Sequence, residues 1–121
     1  MPFLQFEDLE IWKQTRSLKN ELFILVKTFP IDEKYRLADQ MIRSIRSVNA
    51  SIAEGNGRRT AKDRIHFCII SRGSLSETLN HLIDAFDCNY INESRLNQNC
   101  LQIKSIEQML NAYIRHLHQL T

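Results

Sequence analysis

Residues 37–55 read LADQMIRSIRSVNASIAEG, and the spacing within them decides the fold. Leu37, Met41, Ile45, Val48 and Ile52 recur at intervals of four, four, three and four. That is the period of one helical face and makes a heptad-like seam. Gln40, Ser44, Ser47 and Ser51 run beside it, a stripe of small or polar side chains that lets another helix approach closely. The pattern predicts a helix over 33–54. Asp32 is its expected N-cap, just after Phe29-Pro30 breaks the preceding segment. Gly55 is its expected left-handed C-terminal cap.

Three more helices follow from the same period. Ile11, Thr15, Leu18, Leu22, Leu25 and Phe29 give one over 8–28, with Trp12 and Phe23 as a second apolar edge. Thr60 and Asp63 resemble a capping box and open a helix over 61–88. Its main face is Ile65, Cys68, Leu75, Leu79, Leu82 and Phe86, and Phe67, Ile70 and Ala85 add a second edge. Gly73 sits inside it, where a close helix crossing would explain a residue that costs about 1 kcal/mol relative to alanine. Asn92 and Ser94 offer caps for a helix over 94–120. Its stripe is Leu96, Cys100, Ile103, Leu110, Ile114 and Leu117, widened by Ile106, Met109, Tyr113 and Leu120.

The chain of 121 residues suits one domain over 1–121, and its 3 glycines and 2 prolines argue against a fold rich in tight turns. Short connections between sequential helices predict an all-α, antiparallel up-down-up-down four-helix bundle. The first, third and fourth helices carry more apolar surface than a monomeric bundle needs, so the bundle is expected to assemble into a homo-oligomeric ring or dimer. No apolar run approaches 18 residues, and the first residues carry acids without a basic region. Neither a membrane span nor a secretory signal is therefore expected, which points to the cytoplasm.

The formal charge is only +2, yet residues 43–72 carry +5 and the remainder −3. Arg43, Arg46, Arg58, Arg59, Lys62 and Arg64 are the candidate nucleic-acid-binding residues. Within them, Glu54-Gly55-Asn56-Gly57-Arg58-Arg59-Thr60 ends at a helix N-terminus, where an anion is favoured. The same turn also reads as a purely structural one, with Glu54 neutralising Arg58. Arg72 falls on the apolar side of its helix and requires a polar partner. Pairing about the 56–59 turn sets it opposite Arg43, so an acid from another helix or subunit is expected nearby. Glu54, Gly55, Gly57, Arg72 and Glu77 are thus read as a structural turn and polar network.

Sites for catalysis, metal or cofactor are not expected. His116 and His118 point about 200° apart on a helix and cannot share a metal. His66 and His81 read as structural or solvated. Cys68, Cys88 and Cys100 lack CxxC spacing and read as reduced, mostly buried thiols. Glu54 and Glu77 make a carboxylate pair only on paper, and no phosphate-loop motif occurs.

Several ordered pieces carry a family resemblance. They are Phe6-x-Asp8-Leu9-x-Ile11-Trp12, then Phe29-Pro30-x-x-Glu33-x-Tyr35-x-Leu37-x-x-Gln40, then Ser47-Val48-x-x-Ser51-Ile52-Ala53-Glu54-Gly55-x-Gly57-Arg58, and Gly73-Ser74-Leu75-x-Glu77. In these the chain resembles the 23S rRNA intervening-sequence protein family over nearly its whole length, although the family more usually has Asn where Ser51 stands. The resemblance implies a bacterial antiparallel four-helix bundle, assembled as a pentamer and without established enzymatic activity. A similar bundle is the accessory protein of diversity-generating retroelements, where it partners a reverse transcriptase and RNA. The expected function is a non-enzymatic oligomeric adaptor that binds RNA or DNA through the central basic segment. The alternative is a protein–protein interaction scaffold that binds no nucleic acid.

Overall fold

The computed structural model describes residues 5–121. Four helices make up the described chain: α1 (Glu10–Leu25), α2 (Leu37–Asn56), α3 (Ala61–Asp87) and α4 (Glu93–His118), with short 3-10 turns at Phe6–Asp8, Val26–Thr28 and Ile31–Glu33. There is no strand among the described residues. α2 packs most extensively on α3, and further contacts join α3 to α4 and α1 to both α2 and α4.

The apolar stripes become the core. On α1 the full predicted row from Ile11 to Leu25 is buried, as is Phe29 beyond it, and on α2 the full seam from Leu37 to Ile52 is buried. Each buried leucine, isoleucine or methionine removed from water contributes roughly 1.5–3 kcal/mol. On α3, Ile65, Cys68, Leu75 and Leu82 are buried, while Leu79 and Phe86 are half-buried against the core. On α4 the buried face is Asn99, Ile103, Ile106, Leu110, Ile114 and Leu117, and the predicted members Leu96 and Cys100 are only half-buried.

Part of the second apolar edge is used within the chain. Trp12, Met109 and Tyr113 pack on the core, Ala85 is buried, and Ile106 is 1% exposed. Phe23, Ile24, Ile69, Ile70, Ile83, Leu101 and Leu120 remain outside.

The serine stripe on α2 forms a close polar seam with α3. Ser44 Oγ lies 2.7 Å from Thr78 Oγ1 and Ser47 Oγ 2.9 Å from Ser74 Oγ, while Ser71 Oγ donates to the Val48 carbonyl at 3.1 Å. Partners advance along α2 as they retreat along α3. No buried side-chain nitrogen or oxygen among the described residues lacks a hydrogen-bond partner, so the seam carries no desolvation penalty of that kind.

Four local expectations differ from the structure, three at helix ends and one at Gly73 inside α3. α1 begins two residues late, because Asp8 accepts from the Gln5 backbone in a separate capped turn. Asp32 does not cap α2. Glu33 instead accepts a 2.8 Å hydrogen bond from the Tyr90 hydroxyl, which pins the Ile31–Glu33 turn, and α2 starts beyond Arg36. Gly55 is not a left-handed cap: it lies inside α2, which continues to Asn56, and no described glycine has positive φ. A Cβ on Gly55 would stand 2.9 Å from Phe67 Cβ, so the glycine lets α3 approach. Gly73, conversely, meets nothing within 4 Å, so no close crossing accounts for it.

The left-handed cap is at the end of α3. Asn89 has φ 63°, with Tyr90 N–H donating to the Ala85 carbonyl and Asn89 N–H to that of Phe86, both at 2.9 Å. That bond pair is the Schellman motif, with asparagine in the glycine position. The Thr60 hydroxyl caps α3 through Asp63 N–H at 3.1 Å, and Asn92 caps α4 through Arg95 N–H at 2.8 Å.

Candidate nucleic-acid interface

The last turn of α2 and the first of α3 form a stitched corner. Glu54 Oε1 accepts from Arg58 Nη2 at 2.9 Å. The Arg58 guanidinium also stands 4.7 Å above the Phe67 ring, and its own carbonyl accepts from Arg64 Nε at 2.8 Å. Gly55 makes room for Phe67 beneath, which brings the ring under the guanidinium. Arg58 and Arg64 are therefore committed to holding the corner, and their interactions are individually weak at this exposure.

Arg59 and Lys62 project from that corner and are exposed. Among the described residues neither has a carboxylate partner, since the ion pairs there are Arg43–Asp39, Arg58–Glu54 and His81–Glu77. They flank the α3 N-terminus, whose partial positive charge adds to theirs.

Arg43 and Arg46 lie elsewhere. Arg43 Nε pairs with Asp39 Oδ2 on its own helix at 3.0 Å, and Arg46 lies 5.3 Å from the Phe23 ring of α1. Ten residues of α2 follow Arg46 before the helix ends at Asn56, about 15 Å at 1.5 Å per residue, and Arg58 lies beyond that end. The six predicted bases thus form two clusters, one at the α2–α3 corner and one nearer the α1–α2 end.

Arg72 does not face Arg43 and meets no acid among the described residues. Ser71 reaches Val48, more than one turn beyond Arg43, and Arg72 Nη1 donates to Asn111 Oδ1 of α4 at 2.9 Å. The Ser44–Thr78, Ser47–Ser74 and Val48–Ser71 pairs centre near residue 60, beyond the 56–59 turn that had implied Arg43. An amide oxygen satisfies the half-buried guanidinium without a second charge.

Glu77 Oε2 lies 3.1 Å from His81 Nε2, within hydrogen-bond distance, and Glu54 holds Arg58. The two carboxylates are not a pair. Thr78 bonds Ser44, which puts Glu77 near that level, and Glu54 lies about 15 Å further along α2. No group of three metal-ligating side chains clusters among the described residues. His66 is exposed against Phe67, and His116 and His118 are exposed at the end of α4.

All three cysteines are free. Cys68 is buried, which pushes its thiol up to about 11. Cys88 is exposed, contrary to the expectation of mostly buried thiols, because it lies past the last full turn of α3.

Sequence reasoning missed Phe67 as the platform for Arg58, and missed a polar chain joining α4 to α1. In it Arg95 Nε donates to Asn99 Oδ1 at 3.1 Å, Asn99 Nδ2 to Gln102 Oε1 at 2.7 Å, and Gln102 Nε2 to Glu21 Oε2 at 2.7 Å. Asn99 is fully buried at the centre of that chain. Its position one residue before the predicted stripe member Cys100 was the available signal.

No helix among the described residues is long and apolar enough to cross a membrane. No curated protein matches the chain. A crystal structure of a protein of unknown function from the S23 ribosomal protein family of Bacteroides thetaiotaomicron is similar, with a TM-score of 0.78 and 20% identity. The likeness covers 86% of this chain and 97% of that one. At that identity it speaks for the fold alone. The family description of the 23S rRNA-intervening sequence protein matches residues 7–112. With that match across four helices and nearly the full length, the chain belongs to the 23S rRNA-intervening sequence protein family.

Proposed function

We propose that this protein is a non-enzymatic adaptor that contacts RNA or DNA through the α2–α3 corner, as a ring of antiparallel up-down-up-down bundles, with a pentamer favoured. The observation that carries the nucleic-acid reading is Arg59 with Lys62. Both are exposed and free of carboxylates among the described residues, and both are presented by a corner that other residues hold in place. Two cations per copy bind phosphate weakly. Copies arranged around a ring would multiply the contacts on one polyanion.

Assembly is supported by aliphatic side chains left outside the core. Leu101 on α4 is 71% exposed and Ile24 on α1 68%, and Ile69 and Ile83 stand out on α3. The antiparallel reading is supported by the opposed order of the Ser44–Thr78, Ser47–Ser74 and Val48–Ser71 contacts. The non-catalytic reading is supported by Glu54 and Glu77, each of which holds a structural partner.

The test is fluorescence anisotropy with a labelled 20-nucleotide RNA and the matching duplex DNA, over a salt series. Binding is expected to weaken steeply with salt. Arg59→Ala/Lys62→Ala is expected to weaken it for all sequences and to flatten the salt slope by about 1–2 per protomer in contact. Identical curves for the two proteins would exclude the corner, and absence of binding at low salt would leave the alternative of a protein scaffold.

A further inference from the structure

A second feature lies toward the other end of α2. A concave surface of about 450 Å³ opens between the C-terminal end of α1 and the first half of α2, its accessible apolar lining being Phe23, Ile31 and Ile42. Three cations line it: Lys27, Lys34 and Arg46. Lys27 Nζ lies 5.6 Å and Arg46 Cζ 5.3 Å from the Phe23 ring centroid, while Lys34 Nζ lies 5.4 Å from that of Tyr35. None of the three has a carboxylate partner among the described residues. The acid that lines the groove, Asp39, is already held by Arg43 at 3.0 Å.

The chemistry of an occupant follows from this layout. It must be apolar in the middle, because aliphatic and aromatic carbon left facing water is unfavourable. It must be anionic at both ends. Lys34 precedes α2 and Arg46 lies in its third turn, and the stretch from Leu37 to Arg46 spans about 14 Å at 1.5 Å per residue.

A single fatty acyl chain brings one charge and leaves the other end unanswered. Nucleic-acid bases bring polar edges that this floor cannot hydrogen-bond, and burying such groups unpaired is costly. A short amphipathic helix satisfies both demands. Two to three turns place apolar anchors at i, i+3 or i+4, and i+7, with acidic residues at either end over the same span.

We propose that this groove docks an amphipathic helical segment of a partner protein, with apolar anchors on Phe23, Ile31 and Ile42 and flanking Asp or Glu on Lys27, Lys34 and Arg46. It stands apart from the nucleic-acid reading, because it uses neither Arg59 nor Lys62.

The experiment selects peptides from a displayed library of random 16-residue sequences on the full chain. The best peptide is then measured in fluorescein-labelled form by anisotropy. Enriched sequences are expected to carry apolar residues at helical spacing flanked by acids. Lys34→Glu/Arg46→Glu, two exposed positions whose exchange leaves the core untouched, is expected to weaken the peptide at least tenfold with an unchanged melting temperature. Arg59→Ala/Lys62→Ala is expected to leave peptide binding unchanged. The proposal is overturned if nothing is enriched, if the enriched peptides lack acids, or if they bind the Lys34→Glu/Arg46→Glu protein equally well. It is also overturned if that variant instead loses only vesicles of equimolar phosphatidylcholine and phosphatidylglycerol, or only the RNA.

Discussion

Two of the three glycines are in helices, and alanine at each is expected to act with opposite sign. At Gly55 the new Cβ would lie 2.9 Å from Phe67 Cβ and 3.6 Å from the Arg64 carbonyl. Both are close to the α3 backbone, so relief requires α3 to move away from α2 and not merely a rotamer change. Overpacking of this kind costs about 1–3 kcal/mol. Against it stands a helix-propensity gain of at most about 1 kcal/mol, reduced because Gly55 is in the last turn. The net is a loss of about 1–2 kcal/mol. Unfolding entropy of about 2.1 cal/mol/K per residue makes that a fall of roughly 4–8 °C in melting temperature for this length. At Gly73 the new Cβ meets nothing, so only the propensity gain remains. That is a rise of about 3–4 °C. Thermal melts by circular dichroism at matched protein concentration read both changes. Phe67→Ala is not expected to rescue Gly55→Ala, because the encounter is with Cβ itself. A Gly55→Ala protein that melts above the parent would refute the reasoning, and rescue by Phe67→Ala would move the cost to the ring.

Ser44→Leu puts three carbons in place of the hydroxyl that meets Thr78 at 2.7 Å in the α2–α3 seam, and is expected to lower unfolding free energy by about 3 kcal/mol in urea titrations. At Asn89, φ 63° favours glycine: Asn89→Gly is expected to stabilise by a few tenths to about 1 kcal/mol and Asn89→Val to destabilise by at least 1 kcal/mol, read from the same titrations. Burial holds the Cys68 thiol at about 11, above its ordinary 9.0. Its raised folded value means that stability is fully present below pH 9 and is lost as pH rises toward 11. The urea midpoint is expected to fall over that window, and Cys68→Ala to remove this part of the fall; an unchanged pH profile in the variant would count against it.

The stripes were legible because burial along a helix is periodic and local. Every member from Leu37 to Ile52 and from Ile11 to Phe29 is buried. The serine stripe was legible for the same reason, since small residues on one face report a close neighbour. Long-range polar partners were not. Arg72 finds Asn111, thirty-nine positions away, and Asn99 is linked through Gln102 to Glu21, and no local spacing encodes either. Gly55 read as a cap because glycine commonly ends helices, whereas its real constraint comes from Phe67 on another helix. Asn89 carried the cap that the reading assigned to Gly55, and an asparagine just past a helix was a usable sign. The basic segment was contiguous in sequence but split in space, because α2 is a rigid rod that puts Arg46 and Arg58 far apart. Of the candidate bases, Arg59 and Lys62 are exposed and without a carboxylate partner among the described residues, while their neighbours Arg58 and Arg64 serve the corner.

Assembly with nucleic acid on the corner is most directly tested by sedimentation equilibrium of the purified protein at micromolar concentration, with the absorbance recorded at 260 and 280 nm before and after a high-salt wash. The expected mass is a small multiple of 14.3 kDa, five being favoured, with an excess at 260 nm that salt removes. A single species at 14.3 kDa would contradict it, since one copy offers too few cations to hold a polyanion.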